Sequence, residues 1–245
     1  MIVAEDAPRR TVRIAPCGDR ALTAELGEVI DSAINAEVIA LEEALRHSGA
    51  GVVETVPTYR ALLVTFDPAE TTYDDLSAHI RTLAAREAPS RRPVRHWRIP
   101  VVYGGEFGID LDSVASQHGM SRDDLIERHS SVIYSVYMIG FVPGFAYLGG
   151  LDPGLATPRL AVPRRTTPSG SISIGGLQAS VASIEAPSGW HLLGRTPVRV
   201  FMAGRDPVNL LEPGDRISFA PITEKAWRPL ALAAHAGEIV ADRLA

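Results

Sequence analysis

The chain has 245 residues, enough for two small domains or one larger β-rich domain, and its 46% hydrophobic and 22% charged residues are ordinary for a globular protein. Its formal net charge of −5 at pH 7 excludes the basic footprint of a protein that binds nucleic acid or anionic membranes. The single cysteine, Cys17, excludes an internal disulfide, and no stretch reaches the about 18 uncharged apolar residues that span a bilayer, so we expect a cytoplasmic protein.

The first part of the chain, residues 1–90, has the pattern of a small α+β domain. Apolar residues at steps of three and four predict one buried helix face, made of Ile30, Ile34, Val38, Leu41 and Leu45. The predicted order is strands at 11–15 and 21–26, the helix that carries this face, strands at 52–56 and 60–66, and a second helix at about 72–86. This ββαββα order predicts one sheet covered by two helices.

A proline-bearing, non-periodic stretch at 88–93 predicts a linker, which divides the chain into domains 1–90 and 91–245. The second domain has short apolar runs separated by turn residues, and eleven of the 31 residues at 140–170 are glycine or proline. Ser121 and Asp124 have the spacing of a capping box that opens a short helix to about residue 130. Strands are predicted at 97–103, 132–138, 171–174, 178–184, 197–202 and 216–220. This pattern favours a β-barrel or a sandwich with one or two short helices.

Several catalytic signatures are missing from the sequence. There is no P-loop, no His-Glu-x-x-His or comparable metal-ligand spacing, and no Gly-x-Ser-x-Gly elbow. Lys225 is the only lysine and lies beside Trp227, far from any serine-rich loop, which argues against a Ser–Ser–Lys amidase. We therefore predict no metal site on this chain and no complete catalytic apparatus of these types.

The strongest candidate site is the glycine- and proline-rich segment at 140–150. Phe141, Phe145 and Tyr147 alternate there with residues such as Pro143 and Gly144 that let backbone approach closely, so the loop is suited to pack a planar ligand. The alternative is that the three rings only plug one end of a barrel.

Four other side chains carry chemistry that suits an anionic or amide ligand. Arg164, Arg165 and Arg195 lie in turns, and a guanidinium fork suits carboxylate or phosphate; the alternative is a solvated pair and one structural ion pair. His191 follows Trp190 and has a near-neutral reference pKa, so it is a candidate general acid or base; the alternative is a hydrogen-bonding surface residue.

Together these segments resemble a known family. The strings GFVPGFAYLGGLDPGLATPR, VPRRTTPSGSISIGG and IEAPSGWHLLGRTPVRVF are similar to the family of 5-oxoprolinase B subunits, which includes the sporulation kinase inhibitor KipI and is often labelled allophanate hydrolase subunit 1. The likeness extends to GDRAL, VPTYRALLVTFDP, IPVVYGGEFGIDL and RDPVNLLEPGDRISF. It covers nearly the whole chain.

The resemblance implies an N-terminal α+β domain followed by a cyclophilin-like β-barrel. It also implies a B–C complex with a related C subunit, often doubled into a heterotetramer. Together with the A subunit, this complex hydrolyses 5-oxoproline to glutamate using ATP that the subunits share. No biotin is expected on this chain, and it is expected to be inactive alone. Gln178 and His191 are then the candidate catalytic contacts, and Arg164, Arg165 and Arg195 the anion contacts. Two alternatives remain, a kinase inhibitor and a carboxyltransferase half of the urea carboxylase type.

The sequence departs from the family's pattern at one place. After Gly175-Gly176, relatives commonly read Gln-Thr-Gly-x-Tyr-Pro, whereas this chain keeps Gln178 and continues with Ala179-Ser180-Val181-Ala182-Ser183. A threonine hydroxyl and a tyrosine ring are therefore absent, which bears on substrate choice if the segment lines the pocket.

Overall fold

A computed structural model describes residues 12–86 and 93–244. The chain divides into two compact units, 1–93 and 94–245. The predicted linker lies outside the described residues except for Pro93, and so does the domain boundary drawn between residues 90 and 91. In the described part of the chain, no helix is long and apolar enough to cross a membrane.

The first unit is a four-stranded antiparallel sheet with two helices, and its ββαββα order confirms the prediction. Its elements are β1 (Arg13–Pro16), β2 (Ala21–Glu25), α1 (Ser32–Arg46), β3 (Val52–Pro57), β4 (Ala61–Phe66) and α2 (Tyr73–Ala84). The strands lie in the order β1-β2-β4-β3.

The apolar stripe of α1 forms the core of this unit. Ile34, Val38 and Leu45 are buried in one cluster with Leu22 and Leu62 of the sheet. The helix begins after Asp31, whose carboxylate accepts the backbone N–H of Ala33 at 2.8 Å. Ile30, which the periodicity places on the same face, precedes the helix and is 48% exposed, because the cap at Asp31 starts the helix after it.

The second unit is a closed β-barrel, which confirms the predicted fold class. Its strands are β5 (His96–Tyr103), β6 (Ile133–Ile139), β7 (Ala146–Gly149), β8 (Arg164–Thr167), β9 (Ser171–Gly175), β10 (Gln178–Val181), β11 (Ala186–Ser188), β12 (His191–Arg195), β13 (Arg216–Pro221) and β14 (Asp242–Arg243). The order β12-β9-β10-β7-β6-β13-β5 closes because β12 also pairs with β5, so seven strands form the barrel. Strands β8 and β11 form a separate two-stranded ribbon.

Three helices accompany the described barrel, where one or two were predicted: α3 (Leu111–Gln117), α4 (Arg122–Ser130) and α5 (Glu224–His235). The capping box predicted for α4 is present, since the Ser121 hydroxyl accepts the N–H of Asp124 and the Asp124 carboxylate accepts the N–H of Ser121. The added helices are α3 and α5, to which the sequence analysis assigned no helix.

The strand predicted at 197–202 is wrong. Pro197 has no N–H, and the N–H of Val198 is taken by the Thr196 hydroxyl at 3.1 Å, so the segment forms only an isolated bridge between Phe201 and Asn209. The barrel contains β12 instead. The sequence pattern did not predict this strand because the turn-type residues Pro187, Ser188 and Gly189 precede it. The strand predicted at 178–184 ends at Val181.

Alternate residues of the strands fill the barrel. Leu148 of β7, Ala179 and Val181 of β10, and Ile172 and Ile174 of β9 belong to the buried core. Because successive side chains of a strand point to opposite faces, the residues between them lie on the outer face of the barrel. That outer face carries the candidate site.

Candidate functional site

Three neighbouring strands place two rows of residues on the outer face of the barrel. In one row, Tyr147 of β7 pairs with Ser180 of β10, which pairs with Ser173 of β9. In the next row, Gln178 pairs with Gly175, and the register of Leu148 with Ala179 places Gly149 on its other side. Gln178 therefore lies between two glycines.

Both glycines are covered by aromatic rings. A Cβ at Gly149 would lie 2.0 Å from the Tyr137 ring, and one at Gly175 would lie 2.8 Å from the Trp190 indole. Glycine is required at both positions because it alone lets a ring lie this close to the sheet. We call this surface the Trp190 face, defined by Tyr137, Tyr147, Arg159, Gln178 and Trp190.

The amide group of Gln178 has no hydrogen-bond partner among the described residues. The residue is 9% exposed, and its amide atoms are not among the fully buried polar atoms that lack a partner, so solvent reaches them. An amide that solvent reaches can exchange its water for a ligand. This amide belongs to a strand residue that lies between two glycines covered by aromatic rings.

The predicted wall residues lie together at this face. The ring centroids of Phe145 and Tyr147 are 4.7 Å apart, those of Tyr147 and Trp190 are 5.8 Å apart, and those of Phe141 and Phe145 are 5.9 Å apart. Since Tyr147 alternates with core residues, it points away from the barrel interior, so these rings do not plug the barrel.

The loop between β6 and β7 presents Phe141 at the edge of this cluster. Gly140 donates its N–H to the Phe145 carbonyl at 3.0 Å, which closes the loop. Phe141 has a φ of +71°, an uncommon conformation for a non-glycine residue, and is 63% exposed. Gly144, at φ +73°, has no room for a Cβ, which would lie 2.5 Å from Phe201. The loop therefore holds an aromatic ring in solvent at a conformational cost.

The segment that departs from the family pattern forms β10 and the turn after it. The Ser180 and Ser173 hydroxyl groups hydrogen-bond at 2.7 Å beneath the rings. The Ser183 hydroxyl group donates a hydrogen bond to the carbonyl oxygen of Pro143. This bond joins the turn after β10 to the loop that carries Phe141. Ala182 is buried. The hydroxyl groups of this segment thus fasten the face to the neighbouring strand and loop.

Arg159 lies over the Trp190 ring, with its guanidinium carbon 5.4 Å from the ring centroid. Its segment is held on both sides: Thr157 and Gly176 exchange two backbone hydrogen bonds, of 2.7 and 3.2 Å, and Leu160 donates to the Gly189 carbonyl at 2.7 Å. Among the described residues, no carboxylate lies within ion-pair distance of Arg159. Arg159 is thus an exposed cation held over an aromatic wall.

Arg159 also acts electrostatically on its neighbour Tyr147. Burial raises the pKa of the Tyr147 phenol, and the positive charge of Arg159 opposes that rise. The phenol is therefore neutral at physiological pH and can donate a hydrogen bond.

His191 adjoins this face. Its Nε2 lies 2.9 Å from the carbonyl oxygen of Pro158, the residue before Arg159. If Nε2 carries the proton and donates a hydrogen bond to that carbonyl, Nδ1 holds the lone pair. Nδ1 is buried without a partner among the described residues, so this nitrogen is closed to solvent.

The three predicted anion-binding arginines lie in different settings. Arg164 donates to the Asp110 carboxylate at 2.7 Å, and the second oxygen of Asp110 accepts the Leu192 N–H at 2.7 Å. This half-buried ion pair joins β8, β12 and the start of α3. Arg165, the next residue of β8, is exposed. Arg195 lies at the end of β12, where it donates to the Ser169 carbonyl and lies over the Trp227 ring.

Arg195 lines an open groove of about 580 Å³. The other residues that line it are Glu106, Phe107, Glu224, Lys225, Trp227 and Arg228. Burial lowers the pKa of Arg195, and the negative charge of Glu106 opposes that change. Lys225 and Arg228 add positive charge to the same groove, and Glu224 adds negative charge. No group of three or more potential metal ligands is found within residues 12–86 and 93–244.

The sequence analysis did not place Tyr137, Arg159 or Trp190 among the site residues. Tyr137 and Trp190 had a signal, since a glycine inside a strand marks a close approach by another group, as at Gly149 and Gly175. Arg159 had none, because its place over Trp190 depends on hydrogen bonds between segments distant in sequence.

Comparison with known proteins gives consistent matches. Residues 12–211 match the family described as carboxyltransferase domain, subdomain C and D. A Bacillus subtilis protein named as the B subunit of 5-oxoprolinase is 37% identical over 234 residues, covering 89% of this chain and 96% of that protein. The crystal structure of TTHA0988 matches 83% of this chain at 32% identity with a TM-score of 0.74, and this chain spans 40% of that chain's length.

A more distant structure shares the fold. The crystal structure of the K. lactis urea amidolyase covers 97% of this chain with a TM-score of 0.79, and this chain corresponds to 17% of that chain. Its sequence identity of 21% supports the fold alone.

Proposed function

The chain belongs to the carboxyltransferase subdomain C and D family, and from that premise we propose that it is the B subunit of an ATP-dependent 5-oxoprolinase that opens 5-oxoproline to glutamate. The match of 37% identity across 96% of a protein named as a 5-oxoprolinase B subunit carries this proposal and confirms the family expected from the sequence.

The chain is proposed to work only with partners. Its relative is named as one component of a larger enzyme, and the family resemblance implies the A and C subunits beside it. The chain has a binding surface in the Trp190 face but no nucleophile activated by a neighbouring base among the described side chains that form it. The proposal is therefore that it binds and orients the substrate while the partners complete the site.

Ring opening of a stable lactam needs activation, which ATP would supply at the amide oxygen. Arg195, Lys225 and Arg228 outnumber the carboxylates Glu106 and Glu224 in one groove beside the Trp227 ring, so these three residues would hold the phosphate groups of ATP from this chain's side. His191 would help to position the segment that carries Arg159, because its Nε2 faces the carbonyl oxygen of Pro158.

The test is reconstitution. The purified chain is mixed with its A and C partner subunits, 5-oxoproline and ATP, and glutamate release is measured with each component omitted in turn. We expect release only from the complete mixture. A complete, folded mixture that releases no glutamate, or equal release without this chain, contradicts the proposal, and the kinase-inhibitor alternative then gains support.

A further inference from the structure

The amide of Gln178 is the polar group of this face that is free to bind a ligand. The residue is 9% exposed, lies in the row between Gly149 and Gly175, and its amide hydrogen-bonds no described residue. The amide atoms are not among the fully buried polar atoms that lack a partner, so solvent reaches them. A ligand with a matching donor and acceptor would replace that solvent.

A carboxamide presents a carbonyl oxygen and an N–H on one edge. A small cyclic amide presents an N–H and a carbonyl oxygen on one edge as well, because its ring forces the amide to be cis. The two edges are complementary and form two parallel N–H···O bonds. An open-chain trans amide does not present both groups on one edge.

The rings beside Gln178 suit such a ligand. Tyr137 and Trp190 lie against the sheet at the two glycines that flank Gln178, so the amide lies between two aromatic side chains. Tyr147 and Phe145 extend this surface away from the amide.

Arg159 adds charge selectivity. Its guanidinium lies over Trp190, has no carboxylate partner among the described residues, and is held there by the hydrogen bonds of Thr157 and Leu160. A guanidinium fork binds a carboxylate with two parallel hydrogen bonds. A cyclic amide that carries a carboxylate would therefore be favoured over one that does not.

We propose that the Trp190 face is a binding site for a carboxylate-bearing cyclic amide, in which Gln178 pairs with the amide edge and Arg159 binds the carboxylate. The choice of 5-oxoproline as that ligand rests on the proposed function; the chemical class rests on the face itself. Gln178 and Arg159 are binding residues that set specificity.

The test compares 5-oxoproline with 2-pyrrolidinone, the same lactam without its carboxylate. Binding to the full chain, alone and in the mixture with its partners, is measured by ligand-observed NMR and calorimetry. Arg159→Met should weaken 5-oxoproline about tenfold and leave 2-pyrrolidinone unchanged. Gln178→Leu should weaken both ligands about tenfold or more. A merely structural role would not distinguish the two ligands.

Matched controls are Gln117→Leu, at the chain's other glutamine, and Arg216→Met, both at exposed positions. Both should bind like the wild type. If the two site variants also bind like the wild type, or if the wild-type chain binds neither ligand alone or with its partners, the inference is wrong. If the binding pattern holds but the complete mixture releases no glutamate, the site stands and the proposed function fails.

Discussion

At the scale of single residues, His129 shows how the barrel tolerates a buried titratable group. It lies at the end of α4, with its Nδ1 2.9 Å from the Tyr103 hydroxyl and its ring stacked on Phe219 at 5.1 Å. Its Nε2 has no partner among the described residues, and burial lowers its pKa to about 3. The groups that face it, Tyr103 and Tyr134, have raised pKa values and stay neutral, so none of them favours the charged imidazole.

This histidine should make the second unit sensitive to acid. An unfolded histidine takes a proton near pH 6.5, whereas the folded one stays neutral down to about pH 3, so the stabilisation is complete above 6.5 and is lost as pH falls from 6.5 towards 3. Between pH 7 and pH 5 the loss is roughly 2 kcal/mol from this residue. The free energy of unfolding at each pH is measured by urea unfolding. Tryptophan fluorescence reports on the second unit, because all three tryptophans lie in residues 94–245.

The comparison variant is His129→Leu combined with Tyr103→Phe, which removes both hydrogen-bonding partners together. Its unfolding free energy should fall less between pH 7 and pH 5 than that of the wild type, by about the same roughly 2 kcal/mol. An equal fall in both proteins would show that His129 is not the acid-sensitive group.

At the scale of elements, the Trp190 face depends on strand residues that contribute no side chain. The strand predicted at 171–174 differs from β9 by one residue at its end. The need for a glycine at position 175, by contrast, follows only from the side chain that lies across the sheet from it. Trp190 is 15 residues further along the chain, so only the pairing of β9 with β12 brings the indole onto the glycine.

Gly175→Ala tests this packing. The added Cβ would lie 2.8 Å from the Trp190 ring, so the ring must shift, and overpacking of this kind costs about 1–3 kcal/mol. The shift also separates Trp190 from Arg159 and should weaken 5-oxoproline binding. Unfolding free energy and ligand affinity are both measured. The control is Gly204→Ala, where nothing lies within 4 Å of the new Cβ; an effect of the same size in both variants would contradict the packing argument.

The capping box of α4 gives a prediction at the same scale. Ser121→Ala removes the hydroxyl that accepts the Asp124 N–H at 3.1 Å and should lower the unfolding free energy by about 1 kcal/mol. Ser116→Ala, at an exposed position inside α3, serves as its control and should have little effect. If the two variants lose equal stability, the hydroxyl does not act as a cap.

At the scale of the whole molecule, local patterns predicted the elements better than the site. The ββαββα order follows from apolar periodicity and turn residues, which are properties of neighbours in the chain. The same pattern left a barrel or a sandwich open for the second domain, and only the family resemblance implied the barrel. Phe145, Tyr147 and Gln178 were found because they stand in recognisable motifs. Arg159 and Tyr137 were missed because their contacts depend on register between distant segments, and the strand at 197–202 was wrong because Thr196 and Pro197 divert its hydrogen bonds.

The central claim is that this chain functions as one part of a lactam-opening assembly. The most direct measurement is to purify the tagged chain from lysate of its native organism, identify the proteins that elute with it, and assay the eluate for ATP-dependent glutamate release from 5-oxoproline. We predict A-type and C-type partner proteins in the eluate, together with that activity. A chain that elutes alone and leaves 5-oxoproline unchanged, or one that opens 5-oxoproline without any partner, would contradict the account.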